Sequence, residues 1–133
     1  MNTYSPEHTH SAFTAGILAL MERMEYRRVI SAEDLEEVDQ LRRKSYYTSG
    51  LVDREKFGSL VDEYDHDPAC HVIGVYIDEK LVGTIRLHVV TSDHLQGPTE
   101  HYFPERAVEY TQNGRTYVDP SRLATDPDSM WQY

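Results

Sequence analysis

Residues 72–90 read VIGVYIDEKLVGTIRLHVV, and the architecture of the chain can be worked out from this stretch. Two β-rich runs, Val72–Ile77 and Leu81–Val90, flank the polar segment Asp78-Glu79-Lys80. In the second run apolar side chains recur at every other position, which is typical of a strand with one buried face. The stretch therefore predicts a β-hairpin.

The residues before the hairpin predict a strand and two helices. Tyr26–Ile30 is short and ends in β-branched residues, and Ser31 with Asp34 has the spacing of a capping box at a helix start. This helix is expected to run to about Tyr46, with acidic residues near its start and basic residues near its end, as the helix dipole favours. A further helix is expected from Asp53. Its predicted apolar face consists of Phe57, Leu60, Val61 and Tyr64.

The two ends of the chain complete the predicted element order. In Ser11–Met24 apolar residues recur at three- and four-residue spacing, which predicts an amphipathic helix. Residues 91–113 are mostly polar and predict a long connection with a helical turn near Pro104–Tyr110. Gly114–Thr125 is expected to be the last strand.

Composition limits the class of protein. A chain of 133 residues with 39% hydrophobic content fits one domain, which we place at residues 11–133 behind a loose arm at residues 1–10. A net charge of −10 argues against a nucleic-acid or anionic-membrane binder. No stretch reaches the roughly 20 apolar residues that span a bilayer. Because a single cysteine cannot form an intramolecular disulfide, a cytoplasmic location is expected.

Three short motifs add chemistry to this outline. Asp62-Glu63-Tyr64-Asp65 precedes the hairpin, Gly83-Thr84-Ile85-Arg86 lies on its second strand, and Asp119-Pro120-Ser121-Arg122-Leu123 lies on the last strand. With Arg42 and Tyr46 on the predicted helix, these motifs resemble the N-terminal half of the N-acyl amino acid synthases and acyl-homoserine lactone synthases. That group is a branch of the GNAT-like acyltransferases.

The resemblance covers about Arg27 to Asp126 and implies a fold and an activity. The implied fold class is α+β, of the three-layer α/β type: a partial GNAT-like N-acyltransferase fold whose mostly antiparallel sheet is flanked by helices. The implied reaction transfers a fatty acyl group to a small amine such as an amino acid. The donor would be an acyl carrier protein or acyl-CoA thioester, used as a co-substrate, and no permanently bound cofactor is expected.

The resemblance also implies roles for individual residues. Asp119, where the family usually has glutamate, would be the general base or amine-orienting group, with Arg122 as the second catalytic residue. Tyr117 and Asp119 would share one face of the last strand and look into one cleft. The implied substrate-binding residues are Arg42, Tyr46, Asp62, Asp65, Arg86 and Ser121. We expect a buried or semi-buried ion network that shapes the amine site, formed by Arg42, Arg86 and Arg122 with Asp62 and Asp65. The plainer interpretation is an ordinary set of surface charges.

The resemblance covers only half of the family's length, and its acyl tunnel would lie mostly in the other half. The chain could be a fragment, a half-domain completed by a second subunit or a second copy, or a binding or regulatory relative without turnover. We expect a homo-oligomer formed through an open sheet edge or the N-terminal helix. Asp126 and Asp128 follow the last strand where GNAT enzymes hold pyrophosphate, and their charges are expected to repel phosphate.

No metal site is expected from the spacing of the histidines. Asp65-His66-Asp67 with His71 is interpreted as solvated loop residues, because consecutive residues rarely face one ion. Three further histidines lack the spacing of a ligand motif, namely His88, His94 and His101. Cys70 has no adjacent cation and is interpreted as a small buried apolar residue.

Overall fold

The computed structural model describes residues 11–56 and 58–129. Helix α1 (Ala12–Glu22) is followed by strand β1 (Met24–Arg28) and helix α2 (Ala32–Thr48). A 3₁₀ helix (Glu63–His66) precedes strands β2 (Cys70–Ile77) and β3 (Lys80–Val90). Helices α3 (Pro98–Tyr102) and α4 (Pro104–Thr111) lead to strand β4 (Tyr117–Thr125). Among the described residues, no helix is both long enough and apolar enough to cross a bilayer.

The described strands form one antiparallel sheet in the order β1-β2-β3-β4, which confirms the predicted α+β class. The predicted hairpin is confirmed as the β2–β3 pair, in which Ile77 lies opposite Lys80. Asp78 and Glu79 form its turn with φ of 50° and 66°. Positive φ at both central residues is the geometry of the tight hairpin turns that match the twist of a sheet.

Helix α2 packs on one face of this sheet. It begins as predicted, with the Ser31 side chain accepting a hydrogen bond from the Asp34 N–H at 3.0 Å. Its inward face carries Val38, which is fully buried against Cys70 and Val72 of β2. Arg42 lies one helical turn further along the same face and is also fully buried. The helix therefore brings a cation into the interior beside the apolar core.

The predicted helix from Asp53 is wrong. Residues 54–56 form a turn, and a short 3₁₀ helix begins only at Glu63. The Leu60 N–H donates to Asp39 Oδ1 on α2 at 2.6 Å, so it is unavailable to a continuous helix. Asp62 and Asp65 then form a capping box that starts the 3₁₀ helix afresh. Of the predicted apolar face, Phe57 lies outside the described residues.

Other boundaries differ by a few residues. The first helix and the first strand each end two residues before the predicted position, at Glu22 and Arg28. Strand β4 starts at Tyr117 because Gly114 has a φ of 72° and turns the chain. The connection at 91–113 holds two short helices, each with proline in its first turn. The predicted arm at residues 1–10 lies outside the described residues.

Candidate active site

The candidate site is built on an ion pair that α2 carries into the core. Arg42 Nη1 and Nη2 donate to the two carboxylate oxygens of Asp65 at 3.0 and 2.9 Å. Arg42 Nη1 also donates to the Leu60 carbonyl at 3.2 Å. Both charged side chains have no solvent exposure. A buried pair of this kind persists because the bidentate geometry and extra hydrogen bonds offset desolvation.

Arg86 extends this pair across the sheet. Its Nη1 donates to Asp62 Oδ1 at 2.5 Å and to Asp65 Oδ2 at 3.2 Å. Its Nε donates to Ser121 Oγ at 2.9 Å, because Ser121 lies directly opposite Arg86 in the β3–β4 register. The guanidinium also lies 5.5 Å from the centre of the Tyr64 ring, within the range of a cation–π contact. One arginine thus joins β4 to the 3₁₀ helix.

Arg122 reaches the same group because β4 is irregular at this point. The register of β3 and β4 shifts between Thr84 and Arg86, and Arg122 has a φ of 53°. Such a bulge turns a side chain that would otherwise alternate to the other face. Arg122 Nη2 donates to Asp62 Oδ2 at 2.9 Å, whereas its buried Nε has no hydrogen-bond partner among the described residues.

These five residues form the ion-pair network of the protein, namely Arg42, Asp62, Asp65, Arg86 and Arg122. Burial acts to raise the pKa of Asp62, but the Arg122 hydrogen bond and the Arg86 charge outweigh burial. The pKa of Asp62 therefore lies below its ordinary value, and the carboxylate is ionised at neutral pH.

A cavity of about 340 Å³ opens in front of the network. Its lining consists of Tyr46, Asp62, Tyr64, Arg86, Pro98, His101, Tyr102, Ser121 and Arg122. The Tyr46 hydroxyl donates to the Leu123 carbonyl at 3.1 Å, which fixes α2 against β4. The structure thus brings five of the residues singled out in the sequence to one cavity. Arg42 and Asp65 lie outside its lining and contact the network from the buried side.

Asp119 lies apart from this lining. It is buried, and its Oδ2 accepts a hydrogen bond from the Thr99 N–H at 2.7 Å. It shares a strand face with Tyr117, since Asp119 lies opposite His88 and Tyr117 opposite Val90. Tyr117, however, lines a second cavity of about 430 Å³ together with Thr99 and residues of α4. The carboxylate therefore sits on β4 between residues of two cavities.

The hydroxyl end of Tyr117 is enclosed by protein. Burial, and then the negative charge of Asp119, raise the pKa of the Tyr117 phenol. Its hydroxyl is buried and has no hydrogen-bond partner among the described residues. Such a group can donate to an additional acceptor without breaking an existing bond.

Sequence reasoning missed part of the cavity wall. The apolar pattern places Tyr64 on the buried face of a predicted helix, whereas the structure places it in the cavity lining; its position inside the Asp-Glu-Tyr-Asp motif is the signal that identifies it. Pro98, His101 and Tyr102 belong to α3, a helix of 5 residues that no periodic pattern announces. Short helices of this kind are set by tertiary contacts, so the sequence carried no usable signal.

The residues after β4 correct one expectation. Asp126 is buried, and Lys44 and Lys80 contact its two oxygens at 2.6 and 2.9 Å. Burial acts to raise the pKa of Asp126, but hydrogen bonds from Lys44, Ser129 and Lys80 outweigh it and hold the pKa far below its ordinary value. Asp128 also pairs with Lys44, at 2.6 Å. The two carboxylates are therefore paired with lysines and are not the bare charges that the predicted repulsion of phosphate assumes.

Cys70 is buried as expected, and burial raises the pKa of its thiol to about 11. Asp65, His66, Asp67 and His71 are not all the solvated loop residues expected from the sequence, because the Asp65 side chain is fully buried and His71 lies on β2. The structure instead groups Asp67 with His88 and His94, whose ligand atoms all lie within 4.8 Å of one another. The spacing of the histidines in the sequence does not reveal this group, because its three residues come from three separate elements.

Comparison with known proteins identifies the family. The family model described as N-acyl amino acid synthase FeeM matches residues 37–132. The solved structure of FeeM, an N-acyl amino acid synthase from uncultured soil microbes, superposes with a TM-score of 0.61 at 16% identity. That match covers 80% of this chain and 55% of the solved chain, so this chain spans about half the length of FeeM. A search of curated proteins found no match.

The likeness to the solved structure shows the fold, and the family match rests on the sequence itself. The matched residues include all three motifs and the whole ion-pair network. Because the match extends over more than half of the sequence, the chain belongs to the N-acyl amino acid synthase FeeM family.

Proposed function

We propose that this chain is an N-acyltransferase domain that joins a fatty acyl group to a small amine, such as an amino acid. Family membership supports the reaction class, and the cavity in front of the ion-pair network supports the class of acceptor. The donor in this proposal is an acyl carrier protein or acyl-CoA thioester, used as co-substrate. Such donors are cytoplasmic, and we assign the protein to that compartment.

The observation that carries the acceptor assignment is the incomplete hydrogen bonding of Arg122. Its Nη2 is held by Asp62 at 2.9 Å, while its buried Nε lacks a partner among the described residues. Arg122 lines the cavity, and a guanidinium anchored on one side can hold a carboxylate through its remaining charged N–H donors. The cavity therefore suits an amine that carries a carboxylate, as an amino acid does.

The chemistry requires a base and an activated carbonyl. The amine nitrogen attacks the thioester carbonyl carbon, the C–N bond forms, the C–S bond breaks, and the thiol leaves with a proton. In this scheme Asp119 accepts the proton that the amine loses. The Thr99 N–H is its one hydrogen-bond donor among the described residues, so the carboxylate is oriented yet retains free lone pairs.

We further propose that the chain works as a homo-oligomer. The apolar face of α1 is exposed, with Phe13 at 78% and Met21 at 56% of full exposure, and Ile17 is also exposed. An uncovered face of this kind is typical of an association surface. A half-domain that only binds or regulates would share this surface but lack turnover, so an activity assay separates the two functions.

The test is direct detection of product. The purified chain is incubated with a long-chain acyl-CoA or acylated carrier protein and a mixture of amino acids, and N-acyl products are identified by mass spectrometry. We expect Asp119→Asn to lower kcat by about 100-fold or more, the usual share of a general base. Arg122→Gln should raise KM for the amino acid by about 10-fold or more, since a charged hydrogen bond is lost.

Matched controls make the test specific. Arg28 is exposed on β1, and Arg28→Gln should leave turnover unchanged. A decarboxylated amine should lose its dependence on Arg122 but keep its dependence on Asp119. Full turnover in Asp119→Asn would overturn the role of that residue. No product with any donor, from a folded chain that binds acyl-CoA, would favour the binding domain instead.

A further inference from the structure

A cluster of three potential metal ligands lies outside the proposed cavity. Asp67 is the C-cap residue after the 3₁₀ helix, His88 lies on β3, and His94 follows that strand in the connection to α3. His94 Nε2 lies 2.9 and 3.0 Å from the two Asp67 oxygens. His88 Nε2 lies 3.8 Å from Asp67 Oδ1. The three side chains therefore converge on one point from three elements.

The backbone holds these side chains in place. His94 pairs with Thr91 through two backbone hydrogen bonds of 3.1 Å, which close the loop after β3. The rings of His88 and His94 are nearly parallel, with centroids 5.9 Å apart. Asp67 is oriented by the Ala69 N–H, which donates to its Oδ1 at 2.7 Å. Ligands fixed by their own backbone and neighbours are the kind that bind metals well.

A second, independent observation concerns the hydrogen bonding of His88. The side chain has no solvent exposure, and neither of its ring nitrogens has a hydrogen-bond partner among the described residues. Leaving a buried polar group without a partner is destabilising, and such groups in folded proteins call for an explanation. A metal ion on Nε2 would supply one of the two missing partners.

We propose that Asp67, His88 and His94 bind a divalent transition metal ion of the zinc class. Two imidazoles and one carboxylate are ligands that Zn²⁺ accepts at about 2.0–2.2 Å, which places neighbouring donor atoms of a tetrahedral site about 3.3–3.5 Å apart. The observed separations of 2.9 and 3.8 Å lie on either side of that value. Three protein ligands leave a fourth position for water or another small ligand.

The ion would connect parts of the chain that the candidate active site depends on. His94 lies a few residues before α3, and α3 supplies both the Thr99 N–H that orients Asp119 and the cavity residue His101. A metal ion that links His94 to β3 and to the residue after the 3₁₀ helix would hold the connection between β3 and α3 in place. None of the three ligands lines the cavity of about 340 Å³, so metal binding can be tested without any assay of acyl transfer.

The experiment is titration of the untagged, metal-free full chain with Zn²⁺, followed by calorimetry, and with Co²⁺, followed by visible absorption. We expect one ion per chain and a rise in the thermal unfolding midpoint when Zn²⁺ is added. His94→Ala and Asp67→Ala should each weaken Zn²⁺ binding by about 100-fold or more, since loss of an outer-shell partner alone costs up to that much. Mg²⁺ should not compete, because it prefers oxygen ligands.

Two exposed histidines provide controls. His66 is adjacent to Asp67 in sequence, and His101 follows in α3, and replacing either with alanine should leave Zn²⁺ affinity unchanged. His88→Ala could unfold the core, so the decision rests on His94→Ala and Asp67→Ala, with circular dichroism as the check on folding. Absence of saturable binding, or binding that both variants retain, would overturn the proposal and leave only the hydrogen bond between His94 and Asp67.

Discussion

Two groups of ion pairs in this protein use the same functional groups in opposite environments. In the ion-pair network the Arg42 and Asp65 side chains are fully buried. At the hairpin end of the sheet, Arg27 contacts Glu25 and Glu79 at 2.7 Å, yet Glu79 is 80% exposed. The distances are similar, so distance alone does not rank these pairs. What differs is the consequence of removing one partner.

In the interior, a lost partner leaves a charge without solvent. Asp65 accepts from Arg42, from Arg86 and from the Asp62 N–H, so its neighbours compensate its charge almost entirely. At the hairpin, water replaces any partner that is removed, and salt screens what attraction remains. The contrast teaches that removing one partner of an interior pair is strongly destabilising, whereas removing one partner of an exposed pair is nearly neutral.

The largest expected effect comes from breaking the interior pair. Arg42→Met leaves Asp65 buried with its bidentate partner gone, and we expect the free energy of unfolding to fall by about 3–5 kcal/mol. Urea denaturation followed by circular dichroism measures this change. The double variant Arg42→Met with Asp65→Leu should recover much of the loss, because no buried charge is left unpaired. Equal losses in the single and double variants would contradict this account.

An intermediate effect is expected at Asp126, which is buried but held by two half-exposed lysines. Asp126→Asn should lower the free energy of unfolding by about 1–2 kcal/mol at pH 7, because charge-assisted hydrogen bonds are lost. Since folding lowers the pKa of Asp126, its contribution is complete above the ordinary aspartate pKa of 3.8 and disappears as the pH falls towards the folded-state pKa.

Denaturant unfolding measured between pH 7 and pH 2 tests whether folding lowers the pKa of Asp126. The wild-type chain should lose stability below about pH 4, and Asp62 adds to the loss because its pKa is also lowered. The Asp126→Asn variant should show a shallower decline over the same range. Asp93 is exposed on a loop, and Asp93→Asn is the matched control that should follow the wild-type profile. A steeper decline in Asp126→Asn would mean that the pKa shift has the opposite sign.

The smallest effect is expected at the hairpin. Glu79→Gln removes one partner of Arg27, which keeps Glu25 at 2.7 Å and lies 4.3 Å from the centre of the Tyr76 ring. The urea midpoint should not move measurably, and added salt should remove any small difference. A clear, salt-resistant loss of stability would show that the exposed pairs matter more than their solvent contact suggests.

Patterns of local spacing revealed most of the fold. The alternation of apolar residues predicts the β2–β3 hairpin, and the capping-box spacing of Ser31 and Asp34 predicts the start of α2. The failed helix at Asp53 shows the limit, since the Asp39 side chain that captures the Leu60 N–H lies 21 residues earlier. The two partners lie too far apart in the sequence for a local pattern to include both. A tertiary contact therefore overrides the helical pattern that begins at Asp53.

The candidate site is likewise only partly predictable from the sequence. Motif positions identified Asp62, Arg86 and Arg122, which the structure brings to one cavity. The bulge that turns Arg122 inward leaves no trace in composition, because it depends on pairing with β3. The grouping of His88 with Asp67 is equally non-local. Chemistry that depends on residues from several elements is visible in a sequence only where a family motif marks them.

A sheet whose strand order follows the order of the chain implies a route of folding. Among the strands that the structure describes, only β2 and β3 pair across a two-residue turn, so this pairing closes the shortest loop and carries the smallest entropic penalty. Adding β1 requires closure around the whole of α2, and adding β4 requires closure around α3 and α4. We expect the hairpin to be the nucleus and the edge strands to join later, which makes the ion-pair network a late event because Arg122 arrives with the last strand.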